Sequence, residues 1–113
     1  MKIKSIEENL SYKDGTKRIV GIYDTTLLSK EKIMPHFHDD EEEIYYILEG
    51  EGLMVIGDEH EFVKAGEIVY IPSRKIHSIS ATSYELRFIT VTVDISEGER
   101  RRRKNVDNLG YFL

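Results

Sequence analysis

The sequence predicts an all-β fold, a small barrel or sandwich, and three observations carry that expectation. Short runs of β-branched and aromatic residues follow one another closely. Glycine or proline punctuates the gaps between them. No stretch before residue 96 shows the apolar period of a helix. Residues 1–16 form a lead-in segment, and Asp14-Gly15 signals a turn before a strand expected over Lys17–Tyr23. A second strand region is expected over Asp24–Ile33, where Thr25, Thr26, Leu27 and Leu28 favour extended backbone. Glu43–Glu49 (Glu-Ile-Tyr-Tyr-Ile-Leu-Glu) is the next strand, ended by Gly50-Glu51-Gly52. Leu53–Ile56 leads to a Gly57-Asp58 turn, Glu61–Val63 returns, and Ala65-Gly66 turns the chain again. Ile68–Ile71 is a short apolar strand stopped by Pro72, Ile76–Ala81 alternates, and Glu85–Asp94 is the last long strand.

Strand parity sorts the Glu43–Glu49 run into two faces. Glu43, Tyr45 and Ile47 share one, and Ile44, Tyr46 and Leu48 share the other. Both faces are largely apolar, so both are expected to be covered. A barrel core covers one. The other calls for a second sheet, a terminal segment or a second subunit, and a homodimer is the expected arrangement.

At 113 residues the chain is expected to be a single domain, residues 1–113, with the barrel over about 17–95 and a C-terminal tail over 96–113. Hydrophobic residues make up 40%, enough for one core, and the 33% of charged residues provide a solvated surface. The absence of cysteine excludes disulfides, thiolate metal sites and cysteine nucleophiles, and fits a cytoplasmic setting. The start, Met1-Lys2-Ile3-Lys4-Ser5, lacks the apolar core of a signal peptide, and no apolar run is long enough to span a membrane. A net charge of −5 argues against general nucleic-acid binding.

Chemistry concentrates in His36, His38, Glu43 and His77. In Pro35-His36-Phe37-His38 the two imidazoles are two residues apart, so on a strand they leave the same surface about 7 Å apart. Glu43 follows at the start of the next run, and His77 arrives after an intervening hairpin. Three neutral imidazoles and one carboxylate suit a divalent first-row transition metal.

The run His36-x-His38-x4-Glu43-x6-Gly50 resembles the first conserved motif of the cupin superfamily, and Gly66-x5-Pro72-x4-His77 resembles the second. Glu43-Ile-Tyr-Tyr-Ile-Leu-Glu-Gly-Glu-Gly52 is similar to what small cupins carry at this place, and the resemblance spans roughly Asp24 to Asp94. It implies a double-stranded β-helix, or jelly-roll, barrel with short terminal extensions. It also implies a metal in the barrel mouth held by His36, His38, Glu43 and His77: iron or manganese first, with nickel, zinc or copper as alternatives. Two departures affect turns. Lys30 stands where the family often has glycine, and Pro72-Ser73-Arg74 replaces Pro-x-Gly. Arg74 must then tolerate a positive φ or sit in a different turn. Ala81 replaces the motif's terminal asparagine. Asp39 to Glu43 are all acidic. Family spacing allows Glu42 or Glu43, and only Glu43 sets Gly50 at the family distance; Glu41 and Glu42 are expected on a connecting turn, facing water.

Four protein ligands leave up to two positions open on a six-coordinate ion, and the net charge of +1 would attract an anionic substrate. The expected function is a metal-dependent enzyme acting on a small organic acid or sugar-like substrate, of dioxygenase, decarboxylase or isomerase type. The alternative is a non-catalytic ligand-binding or sensing module. Tyr45 and Tyr70 are candidate donors behind the ligands, with core packing the expected role of each. Arg87 suits a substrate carboxylate, but a surface role is expected, and His60 is read as solvated. The basic run Arg100–Lys104 is read as a solvated face, and Leu109, Tyr111, Phe112 and Leu113 as a docked end, over the barrel mouth or on a partner subunit.

Overall fold

The computed structural model describes residues 1–96; the basic run Arg100–Lys104 and the apolar end Leu109–Leu113 lie outside the described residues, as do the expectations attached to them. Eight strands form: β1 (Ile19–Leu28), β2 (Lys32–His36), β3 (Glu41–Glu49), β4 (Glu51–Ile56), β5 (Glu59–Lys64), β6 (Ile68–Ile71), β7 (His77–Ala81) and β8 (Glu85–Asp94). They make two four-stranded sheets, ordered β1-β8-β3-β6 and β2-β7-β4-β5. Every pairing is antiparallel, so the chain passes back and forth between the sheets as a jelly-roll barrel.

The interior is graded along its length. On the inward face of β3 the order is Glu41, Glu43, Tyr45, Ile47, all buried. On β8 it is Leu86, Phe88, Thr90, Thr92, Asp94, also buried, running the opposite way. Antiparallel register sets like beside like: Ile47 faces Phe88, Tyr45 faces Thr90, Glu43 faces Thr92 and Glu41 faces Asp94. On β7 the inward face runs from His77 to Ile79 to Ala81. One end of the barrel is therefore dry, filled by Ile47, Met54, Ile71, Ile79, Leu86 and Phe88, with the Tyr45 ring stacked on Phe88 at a centroid distance of 4.8 Å. The other end is polar.

Two sequence expectations need correction. Lys17–Tyr23 and Asp24–Ile33 are not separate strands; β1 runs unbroken from Ile19 to Leu28, and the break falls at Ser29-Lys30-Glu31. Asp24 does not interrupt the strand because its carboxylate points outward and takes two bonds from the Arg87 guanidinium, at 3.0 and 2.7 Å. Glu41 and Glu42 do not sit on a turn but begin β3, and Glu41 is buried. On the outer face of β3, Ile44 and Tyr46 stay 40% and 45% exposed among the described residues, beside Ile68 and Tyr70 of β6.

The two turn departures keep the backbone that glycine would have given. Lys30 adopts φ 74° and Arg74 φ 65°, both left-handed. At Gly50 (φ 83°), between β3 and β4, a side chain would run into the Glu85 carbonyl, so glycine is required there on two counts. Before the barrel, Asn9 caps the open edge of β1 by accepting the Ile22 N–H at 2.7 Å.

Candidate metal centre

Strand register brings the polar residues together. His36 at the end of β2 lies directly opposite His77 at the start of β7, with ring centroids 4.3 Å apart. Glu43 approaches from the facing sheet, where it pairs with Ile71 and Thr92. His38 follows in the connection between β2 and β3, its ring 5.2 Å from His36 and 6.3 Å from His77. That connection is fixed from below by the Arg74 N–H, which donates to the His38 carbonyl at 2.8 Å. The left-handed turn at Arg74 thus ties the segment before His77 to the segment carrying His38.

Two imidazoles have their tautomers set by the backbone. The ring Nδ1 of His36 lies 2.8 Å from the Met34 carbonyl, and that of His77 lies 2.9 Å from the Lys75 carbonyl. A carbonyl only accepts, so each Nδ1 must carry the proton, and each Nε2 is left with a free lone pair. His77 Nε2 and Glu43 Oε1 are 3.0 Å apart and fully buried, yet the approach lacks hydrogen-bond direction and neither atom has another partner. Glu43 Oε2 accepts from the Thr92 hydroxyl at 3.1 Å. The ligand atoms of His36, His38 and Glu43 all lie within 4.8 Å of one another. His77 stands outside that group of three and joins it through the Glu43 contact. Two buried lone-pair atoms 3.0 Å apart are costly unless a cation or a proton lies near both of them. A divalent metal meets that requirement, so the residues present fit one.

Burial works against ionisation of Glu43, but the His77 contact, the His38 and His77 charges and the Thr92 bond outweigh it, and the carboxyl pKa ends below its ordinary value. Burial pulls His77 down, but the Glu43 contact and the Lys75 carbonyl together raise its pKa above the ordinary imidazole value. Burial, reinforced by the Glu43 charge, pushes the Tyr45 phenol well up, so it keeps its proton.

The centre opens into a cavity of about 610 Å³ between the sheets, whose walls come from β1, β2, β3 and β8. Tyr45 lines it, as strand parity predicts, and its ring meets His77 edge-on at 6.4 Å. Tyr70 does not; it lies on the outer face, donating to Glu42 at 2.6 Å. Arg87 also faces outward, bound to Asp24 and Glu49. His60 is exposed on β5, away from the centre.

Sequence reasoning missed two contributors. Glu41, only 4% exposed, lines the cavity with its Oε1 3.6 Å from His38 Nδ1. Thr92 supplies the hydroxyl on Glu43. Both carried a signal: Glu41 shares Glu43's parity, and Thr92 sits on the alternating inward face of Glu85–Asp94.

A family model described as the cupin domain matches residues 24–93. Over 48 residues the chain is 50% identical to an uncharacterized protein of Methanocaldococcus jannaschii, covering 42% of this chain and 38% of that protein. Over 59 residues it is 39% identical to an oxalate-binding protein of Thermotoga maritima, covering 51% of this chain and 49% of that one. The chain thus matches about half or less of the length of these two curated relatives. A crystal structure from Thermotoga maritima, described as a predicted oxalate decarboxylase, superposes with a TM-score of 0.71 at 30% identity over 75% of each chain.

Proposed function

The chain belongs to the cupin family, and on that premise we propose that it holds one divalent transition metal through His36, His38, Glu43 and His77 and acts on a small oxygen-bearing organic molecule at the positions left open. Iron or manganese is the first choice for such a nitrogen and oxygen donor set, with nickel, zinc or copper also compatible. The observation that carries this reading is the pairing of backbone-fixed tautomers with a buried carboxylate. His36 and His77 turn free Nε2 atoms inward, and Glu43 Oε1 meets His77 Nε2 without a hydrogen bond. The metal would supply a Lewis acid for a coordinated oxygen, and redox chemistry if it is iron, manganese or copper.

The protein's own residues would do the rest. Thr92 holds the Glu43 carboxylate in orientation through its hydroxyl. Tyr45, kept protonated by burial, offers a donor rather than a base. Val20, Ile33 and Met34 give the bound molecule an apolar flank. Elemental analysis of purified protein, followed by a turnover screen of iron- and manganese-loaded chain against organic-acid, diketone and sugar-acid panels with and without oxygen, tests the reading. About one metal per chain and metal-dependent product formation are expected. No metal uptake, or uptake without turnover across the panels, contradicts the enzymatic reading.

One observation favours a second reading, a ligand-binding module without turnover. Beyond the proposed ligands, Glu41 is the one acid lining the cavity among the described residues, and no lysine or further histidine joins it as a proton carrier. Ligand-dependent stabilisation of the metal-loaded chain with no product would support it, and product formation abolished in Glu43→Gln would refute it.

A homodimer through the outer face of the β1-β8-β3-β6 sheet also belongs to this proposal. Ile22, Val91, Ile44 and Tyr70 form one row across the four strands, and Ile89, Tyr46 and Ile68 continue a second. Four strands at about 4.8 Å spacing and about nine residues of strand length give a face of about 20 by 30 Å. That is at most about 600 Å², the low end of what each partner contributes to a standard interface. A second copy presents the same apolar face and matches it by twofold symmetry.

A further inference from the structure

We propose that this cavity selects a ligand that chelates through two adjacent oxygens, carries at most one negative charge and extends an apolar body, and that it disfavours small dianions. The inference rests on the metal-binding reading above. Three features of the walls carry it. The first is size. At about 610 Å³ the cavity falls in the range that encloses drug-sized molecules, far more than a two-carbon diacid fills. The second is polarity. Away from the proposed ligands the lining includes Val20, Ile33, Met34 and the Tyr45 ring, with Thr25 and Thr90 as neutral polar groups.

The third is charge. No lysine or arginine lines the cavity among the described residues, while the acid Glu41 lies beside His38. Arg87, the residue whose planar fork would suit a second carboxylate, points to the opposite side of its sheet and is held by Asp24 and Glu49. A diacid that chelates through a keto oxygen and the adjacent carboxylate would leave its second carboxylate facing apolar walls and an acid with no counter-charge. Burying an unpaired charge is costly, and replacing that carboxylate with a ring converts the cost into favourable apolar burial.

2-Oxoglutarate, pyruvate and benzoylformate separate these effects, because all three chelate through a keto oxygen and the adjacent carboxylate and differ only in the group on the keto carbon: carboxyethyl, methyl or phenyl. Because the chelating bite is the same in all three, the order of binding measures the pocket. Binding to the manganese-loaded full chain is measured by anaerobic titration calorimetry, after its metal content has been determined. Benzoylformate is expected to bind at least about tenfold more tightly than 2-oxoglutarate, with pyruvate between them. Met34→Arg, at a 64% exposed position on the cavity wall that tolerates a polar side chain, supplies the missing cation and is expected to narrow the ratio by about tenfold. 2-Oxoglutarate binding as tightly as benzoylformate, or a ratio unchanged in Met34→Arg, overturns the inference and leaves the metal centre standing. A chain that takes up no metal overturns both.

Discussion

Glu43 and His77 each face a contest between burial and pairing, and in both pairing wins. The carboxyl pKa falls despite burial, so its share of stability is complete above the ordinary carboxylate range and is lost as pH falls through the lowered value. The imidazole pKa rises despite burial, so its share is complete below the ordinary value of 6.5 and is lost as pH rises through the raised one. Metal-free protein should therefore be most stable between those two limits. Thermal unfolding in chelator from about pH 4 to about pH 8 checks this, and a flat profile contradicts it. Metal and proton compete for His77, so metal affinity should begin to fall at a pH above 6.5, the ordinary imidazole value, rather than at it. Two substitutions separate a direct ligand from a neighbour. Glu43→Gln should cost more metal affinity than the about 10–100-fold typical of an outer partner, whereas Glu41→Gln, acting on His38 across 3.6 Å, should cost about tenfold. Equal losses measured by competition with a metal indicator would remove that distinction.

Turns decide whether the ligating strands meet. The segment Pro72–Ile76 enters β7 through Arg74, whose left-handed backbone aims its N–H at the His38 carbonyl. Proline there can neither adopt a positive φ nor donate, so Arg74→Pro should destabilise the fold by about 2–4 kcal/mol and weaken metal binding together. Glycine relieves the left-handed strain but loosens the unfolded chain, so Arg74→Gly should change stability by less than about 1 kcal/mol and leave metal affinity intact. Denaturant unfolding of both variants distinguishes this from a role for the arginine side chain, which would be lost equally in both. The same logic applies to Lys30 before β2. Glycine spacing in the sequence marks where such turns fall, yet these two positions show that the backbone shape can persist without the residue that usually signals it.

Across the whole molecule, the two sheets build the centre between their inner faces, and the outer face of the β1-β8-β3-β6 sheet carries apolar residues left uncovered among the described residues. Antiparallel sheets of monomers commonly present a polar outer face, and Ile44, Tyr46, Ile68 and Tyr70 depart from that pattern. The double variant Ile44→Glu with Tyr46→Glu should therefore convert a dimer to a monomer in sedimentation equilibrium with the barrel still folded. A wild-type chain that sediments as a monomer would refute the dimer outright. Because the substitutions point away from the cavity, metal content should not change with them.

Side-chain alternation is a local property with a period of two, so the chain by itself revealed most of the strands, the shared face of Glu43 and Tyr45, and the donor types, while the bounds of β1 and the separate β2 came only from the structure. Glycine and proline punctuation revealed most of the turns, and motif spacing the barrel class. Pairing between distant strands is set by contacts the local pattern does not encode. Only that register put His36 against His77, drew Glu41 inward beside His38, sent Arg87 to the outside and left Ile44 and Tyr46 in water. A carboxylate such as Glu41 looks solvated in a run of acids, and its burial follows only once Asp94 and the cavity wall close around it.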